Sequence, residues 1–127
     1  MKILRTIHPL WLREKIYFHV IARNSSLKTP GGGNLEFAPV RMKALLPTDC
    51  GHRQIAWCGF YELDLSRRIS SLAKTGGCLV DVGANAGYFS CIWAAANPLN
   101  EVYAFEPSPR NLAMLHRTYR LWIVRRG

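Results

Sequence analysis

A chain of 127 residues can build one small domain with a real core, and its seventeen Lys and Arg against eight Asp and Glu leave a net charge of +9. The cations are scattered rather than arrayed as one stripe with interleaved aromatics, and five arginines follow Glu106 with no acid among them, so no nucleic-acid partner is expected. No apolar stretch approaches the roughly twenty residues of a membrane span, and Arg13, Glu14 and Lys15 interrupt any signal-peptide core, so a cytoplasmic protein is expected.

Pro9 suits the first position of a short helix within Met1 to Ala22. Leu12, Ile16 and Val20 form its stripe, widened by Trp11 and Tyr17. Two readings stand for it: a helix packed on the edge of its own domain, or, given Arg13, Lys15 and Arg23, an amphipathic helix on a membrane surface. Asn24 to Asn34, with two serines, Pro30 and three consecutive glycines, reads as a flexible connector. Leu35 to Leu46 alternates in two phases that break at Pro39, and reads as extended. Pro47 to Gly51 is a turn, and Gln54 to Cys58 a second short strand. Together these predict a β-hairpin.

Glu62 to Lys74 reads as a helix with Leu65, Ile69 and Leu72 on one face, stopped by Gly76-Gly77. Cys78 to Val82 is an apolar strand of the kind covered on both faces, interrupted only by Asp81. The glycine turn Gly83-Ala84-Asn85-Ala86-Gly87 follows. A helix then runs to Ala96, with Phe89, Ile92, Trp93 and Ala96 at helical spacing. Val102 to Glu106 is the next strand, predicted to lie parallel to the first. Ser108 and Pro109 then open a helix whose inner stripe is Leu112, Leu115, Tyr119 and Trp122.

Cys50, Cys58, Cys78 and Cys91 form no C-x-x-C, and no His pair stands at zinc spacing, so no metal site is expected. The cysteines read as small buried hydrophobes in a reducing compartment. Cys50-Gly51-His52 reads as part of a turn.

Strand, glycine turn and helix together bring backbone close to a nucleotide-like ligand. Glycine leaves no Cβ in the way, and a helix N-terminus offers N–H groups and the positive end of its dipole. An ionised carboxylate at Glu106, at the end of the second strand, has two accepting oxygens suited to the two hydroxyls of a ribose. That argues for an adenosine-type ligand without choosing which one. The dinucleotide fingerprint G-x-G-x-x-G does not fit, because Asn85 replaces the second glycine and Gly87 comes one position early.

Three motifs sharpen the choice: GFYE at Gly59–Glu62, VDVGANAGYFS at Val80–Ser90 and YAFEPSP at Tyr103–Pro109. In order and separation they resemble the FkbM-type branch of the class I S-adenosylmethionine (SAM) methyltransferases, over roughly Met42 to Tyr119. The resemblance implies an α/β, Rossmann-like domain with SAM as cofactor and a small-molecule or sugar oxygen as methyl acceptor. It implies that Gly83, Ala84, Asn85 and Gly87 turn under the ligand and that Glu106 holds its ribose. Asp81 would stand near its ammonium group or order the turn, Tyr88 would line the pocket, and Glu62 would be an acid beside it. No catalytic base is assigned: His8, His19, His52 and His116 lie outside the turn and the strand ends.

The expected division is an N-terminal helix and connector (1–34), a β-hairpin element (35–60) and a partial SAM-binding domain (61–127). Only two strands of a sheet that needs five or more are visible, so the chain reads as a fragment ending after the second strand and its helix, inactive by itself. A SAM- or nucleotide-binding module without chemistry is the alternative, and an NAD-binding Rossmann protein the third reading.

Overall fold

The computed structural model describes the backbone of residues 2–43 and 45–126 and the side chains of 3–43 and 45–118. Among them are six α-helices and two sheets of two strands each, an α/β mixture. The chain forms two compact units: Met1–Glu36 with Arg41–Asp64, and Phe37–Val40 with Leu65–Gly127.

The first unit holds α1 (Lys2–Arg5), α2 (Leu10–Ile16), β1 (Gly32–Asn34), β2 (Arg41–Lys43) and α3 (Cys50–Cys58). Helix α2 does not stop at Ile16 but widens into a π-helical turn, Tyr17–Ile21, in which Ala22 N–H donates to the Tyr17 carbonyl at 2.8 Å. A π turn holds more residues than an α turn, so the inward face moves on by one position. Arg13, Tyr17 and Ile21 are buried, whereas Trp11 and Val20 of the expected stripe are exposed.

Of the hairpin expected from Leu35 to Cys58, the first stretch does hold a strand, β2, but its partner is β1, antiparallel with Gly33 opposite Met42, so the end of the supposed connector is sheet. The connector before it is also pinned: Arg53 donates to the Asn24 carbonyl at 2.7 Å and to Thr29 Oγ1 at 3.1 Å.

Gln54–Cys58 is helix, not strand. The four apolar residues Ile55–Cys58 have no period that separates the two states, and the ends decide it. Asp49 Oδ1 accepts from the His52 N–H at 2.9 Å as N-cap, and Gly59, at φ 86°, closes the other end. Cys50-Gly51-His52 is thus the first turn of α3. The helix is buried on most sides, which erased its polar face.

Two arginines complete the C-terminal end of α3. Arg5 donates to the carbonyls of Ile55 (3.1 Å) and Ala56 (2.8 Å), and Arg13 to that of Cys58 (2.9 Å). The carbonyls of Ala56 and Cys58 are among those a helix end leaves without partners, at the negative end of its dipole, while that of Ile55 also accepts from the Gly59 N–H at 2.8 Å. Arg13 is 1% exposed and also pairs with Glu36 at 2.8 Å. Part of the positive charge is therefore internal structure.

The second unit is built on β3 (Cys78–Val82) and β4 (Glu101–Phe105), which are parallel and joined through α5 (Tyr88–Ala96). Their register pairs Asp81 with Ala104 and Val82 with Phe105. Before them runs α4 (Leu63–Ala73), and α6 (Pro109–Arg126) follows. Helix α4 buries Leu63, Ser66 and Ala73, not the expected Leu65 and Leu72, which are exposed. The Ser66 hydroxyl meets the Tyr88 hydroxyl at 2.9 Å in the interior, which satisfies both buried groups.

Among the described residues the sheet is covered on one face only, against the expectation of two. Residues 79, 81, 102 and 104 are partly buried on the side of α5, and Val80, Val82, Tyr103 and Phe105 on the other are exposed. On α6, Leu115 is buried while Leu112 is partly exposed. Tyr119 and Trp122 lie outside the described side chains. No helix among the described residues is long and apolar enough to cross a membrane.

Candidate functional site

Parallel pairing puts the ends of β3 and β4 at one edge, and the glycine turn leaves the sheet there. Three of its five residues have left-handed backbone: Gly83 at φ 80°, Asn85 at 51° and Gly87 at 83°. Asn is the side chain that tolerates this conformation best after glycine. The two glycines have different reasons to lack a side chain. A Cβ on Gly87 would stand 2.7 Å from Leu115 Cδ1, so that position lets α6 approach the turn. A Cβ on Gly83 would meet nothing within 4 Å, so the backbone there faces open space.

The turn is held by hydrogen bonds from the second strand. Gly83 and Ala84 N–H both donate to the Phe105 carbonyl, at 2.8 and 3.0 Å. These two amides tie the turn to β4. The Asn85 N–H donates to Glu106 Oε2 at 2.8 Å, and the Ser108 N–H to Glu106 Oε1 at 2.8 Å. One carboxylate thus fastens the glycine turn to the entry of α6. Glu106 is partly exposed. An ionised carboxylate has about four lone-pair positions, so about two remain beyond these two bonds.

Asp81, one residue before the end of β3, accepts from the Ser90 hydroxyl at 2.6 Å. That bond links strand to helix across the turn and compensates a half-buried carboxylate. Burial, and then the charge of Asp81, pushes the neighbouring Cys91 thiol up to about 12. Ser90 was part of the quoted motif but received no role, because its partner stands nine positions earlier and no local spacing announces it.

The structure therefore brings Asp81, Gly83, Ala84, Asn85, Gly87 and Glu106 to one sheet edge. Tyr88, expected to line a pocket, is instead 5% exposed, its hydroxyl turned to Ser66. It sits at the first position of α5, and the αL turn at Gly87 sends it into the interior. Glu62 falls in the first unit, immediately before α4, at φ 44°. Partial burial raises the Tyr61 phenol, helped by the charge of Glu62 and by a hydrogen bond to it. Of the cysteines, Cys58 and Cys91 are buried as expected, but Cys50 and Cys78 are exposed. Among the described residues no cluster of His, Cys, Asp and Glu is placed to hold a metal ion.

Compared with models of known families, with curated proteins and with solved structures, the chain finds no match.

Proposed function

We propose that the edge formed by the glycine turn and Glu106 binds S-adenosylmethionine, in a Rossmann-like arrangement, and that the protein is a methyltransferase of the FkbM type. The observation that carries this reading is the fastening of Asn85 by Glu106. The carboxylate is oriented before any ligand arrives, beside a backbone whose Gly83 is open. Two free lone-pair positions suit the two ribose hydroxyls, and the open glycine suits close approach of the rest of the ligand. Asp81, held by Ser90, supplies a negative charge near the same edge for the ligand's ammonium group.

The reaction follows from the ligand's chemistry. When bound, SAM would supply an activated methyl group for an oxygen of a small molecule or sugar, and Asp81, the glycine turn and Glu106 would hold it. The protein's part is to hold both, and positioning of this kind supplies up to about 7–11 kcal/mol of a barrier.

Calorimetry tests the cofactor. In a chain that carries the full sheet, SAM and S-adenosylhomocysteine are expected to bind and NAD is not. Glu106→Ala should weaken SAM by about 1–3 kcal/mol, the range for hydrogen bonds to a charged group. NAD binding, or SAM affinity unmoved by Glu106→Ala in a folded variant, would overturn the reading.

A further inference from the structure

The outer face of α2 and its π-helical extension has no role in that site. Arg13, Tyr17 and Ile21 are buried and set the inward direction. Opposite them stand Trp11, Lys15 and His19, all exposed, with Phe18 on one flank and Val20 on the other, and the exposed Arg23 follows in the turn just past the helix end. Trp11 and Phe18 are each 49% exposed, a large apolar surface to leave in water. Lys15 Nζ lies 5.3 Å from the centroid of the Trp11 ring, so cation and aromatic share one patch.

The charge on this face is one-sided. Glu14 is the only acid in the first thirty-five residues. It is not part of the outer patch, because its Oε1 accepts from Gln54 Nε2 at 3.0 Å. The next acid, Glu36, is paired with the buried Arg13. Lys15 and Arg23 are thus presented outward, while the one acid of α2, Glu14, is turned to Gln54.

We infer that this face docks on an anionic lipid surface, with Trp11, Phe18 and Val20 entering the headgroup region and Lys15 and Arg23 on the lipid charges. Exposed cations complement anionic headgroups, and interfacial aromatics supply the apolar part of such binding. Nucleic acid fits less well. A base stacks on Trp11 or Phe18, but an exposed aliphatic such as Val20 gains nothing from a base or a phosphate.

The test is co-sedimentation of the whole chain with vesicles of phosphatidylcholine, alone or with phosphatidylserine at about 30%, a strongly anionic surface. Binding should need the anionic lipid and weaken as salt is raised. Lys15→Gln with Arg23→Gln should lower the partition about 30-fold, since each cation near such a surface is worth roughly fivefold. Trp11→Phe should remove most of the blue shift in tryptophan emission on binding. All three side chains are exposed, and circular dichroism verifies that the variants fold. Equal binding to neutral vesicles, or unchanged partition of the double variant, would overturn the inference. So would retention by a single-stranded oligonucleotide but not by vesicles. A dimer that the same substitutions dissociate in light scattering would assign the face to a second copy and equally overturn it.

Discussion

At the scale of single residues, Gly83 and Gly87 look equivalent in sequence and are not equivalent in structure. Both need left-handed backbone, which costs an alanine about 1–2 kcal/mol. Gly87→Ala also drives a methyl group against Leu115 in the interior. Urea denaturation should therefore show Gly83→Ala losing about 1–2 kcal/mol and Gly87→Ala about 2–4, the excess being overpacking. Equal losses would mean that Leu115 moves aside freely. The thiols give a second residue-scale prediction. Burial pushes both Cys58 and Cys91 up to about 12, from a usual value near 9. A raised acid pKa means that the folded state keeps protons the unfolded state releases. That stability is complete below about pH 9 and is lost as pH rises from there toward 12. Melting temperature should fall over that window, and less in a Cys58→Ala, Cys91→Ala variant relative to its own value at neutral pH. At pH 8 an aromatic disulfide reagent should titrate Cys50 and Cys78 quickly and the other two only after denaturation.

At the scale of elements, what was legible in the sequence was what local pattern determines. The strands of the second unit, their parallel pairing and the turn between β3 and α5 follow from apolar runs and glycines, and the structure has them within a residue of the expected bounds. Helix α3 was missed because its buried faces left no polar period, although Asp49 and Gly59 were both there to be read as its ends. The π turn after Ile16 was not legible, since a change of pitch has no residue signature here, and it turned Val20 outward. Asp81–Ser90 and Ser66–Tyr88 join different elements and needed the fold to be seen. Within the candidate site, the place of Glu106 at a strand end was legible; that it fastens Asn85 was not. Helix α3 carries the prediction that belongs at this scale. Asp49→Ala removes its N-cap and should cost about 0.5–2 kcal/mol. Glu36→Ala leaves the Arg13 guanidinium buried without its carboxylate and should cost more, about 2–3 kcal/mol. That is below the fully buried range because Glu36 is partly solvated. Thermal unfolding of both variants, followed by circular dichroism, gives the order.

At the scale of the whole molecule, the sheet of β3 and β4 governs behaviour in solution. Its register is regular, its α5 face is covered, and its other face carries Val80, Val82, Tyr103 and Phe105 in water, with Val82 80% exposed. Four apolar side chains on two adjacent strands form one continuous patch, because residues two apart on a strand share a face. Among the described residues this sheet has two strands, and so an unpaired edge on each side. Patch and edges act in the same direction: a second chain that covers the one is placed to pair with the other. The chain is therefore expected to self-associate as its concentration rises into the micromolar range. Val82→Lys with Phe105→Lys should reverse this, since two cations on the patch repel their copies across it. Neither side chain is buried, so folding should survive the change. Light scattering against concentration, with circular dichroism as the control for folding, decides the matter. A wild-type chain that stays monomeric throughout, or a folded double variant that associates as strongly, would show that the open sheet face is not what brings copies together.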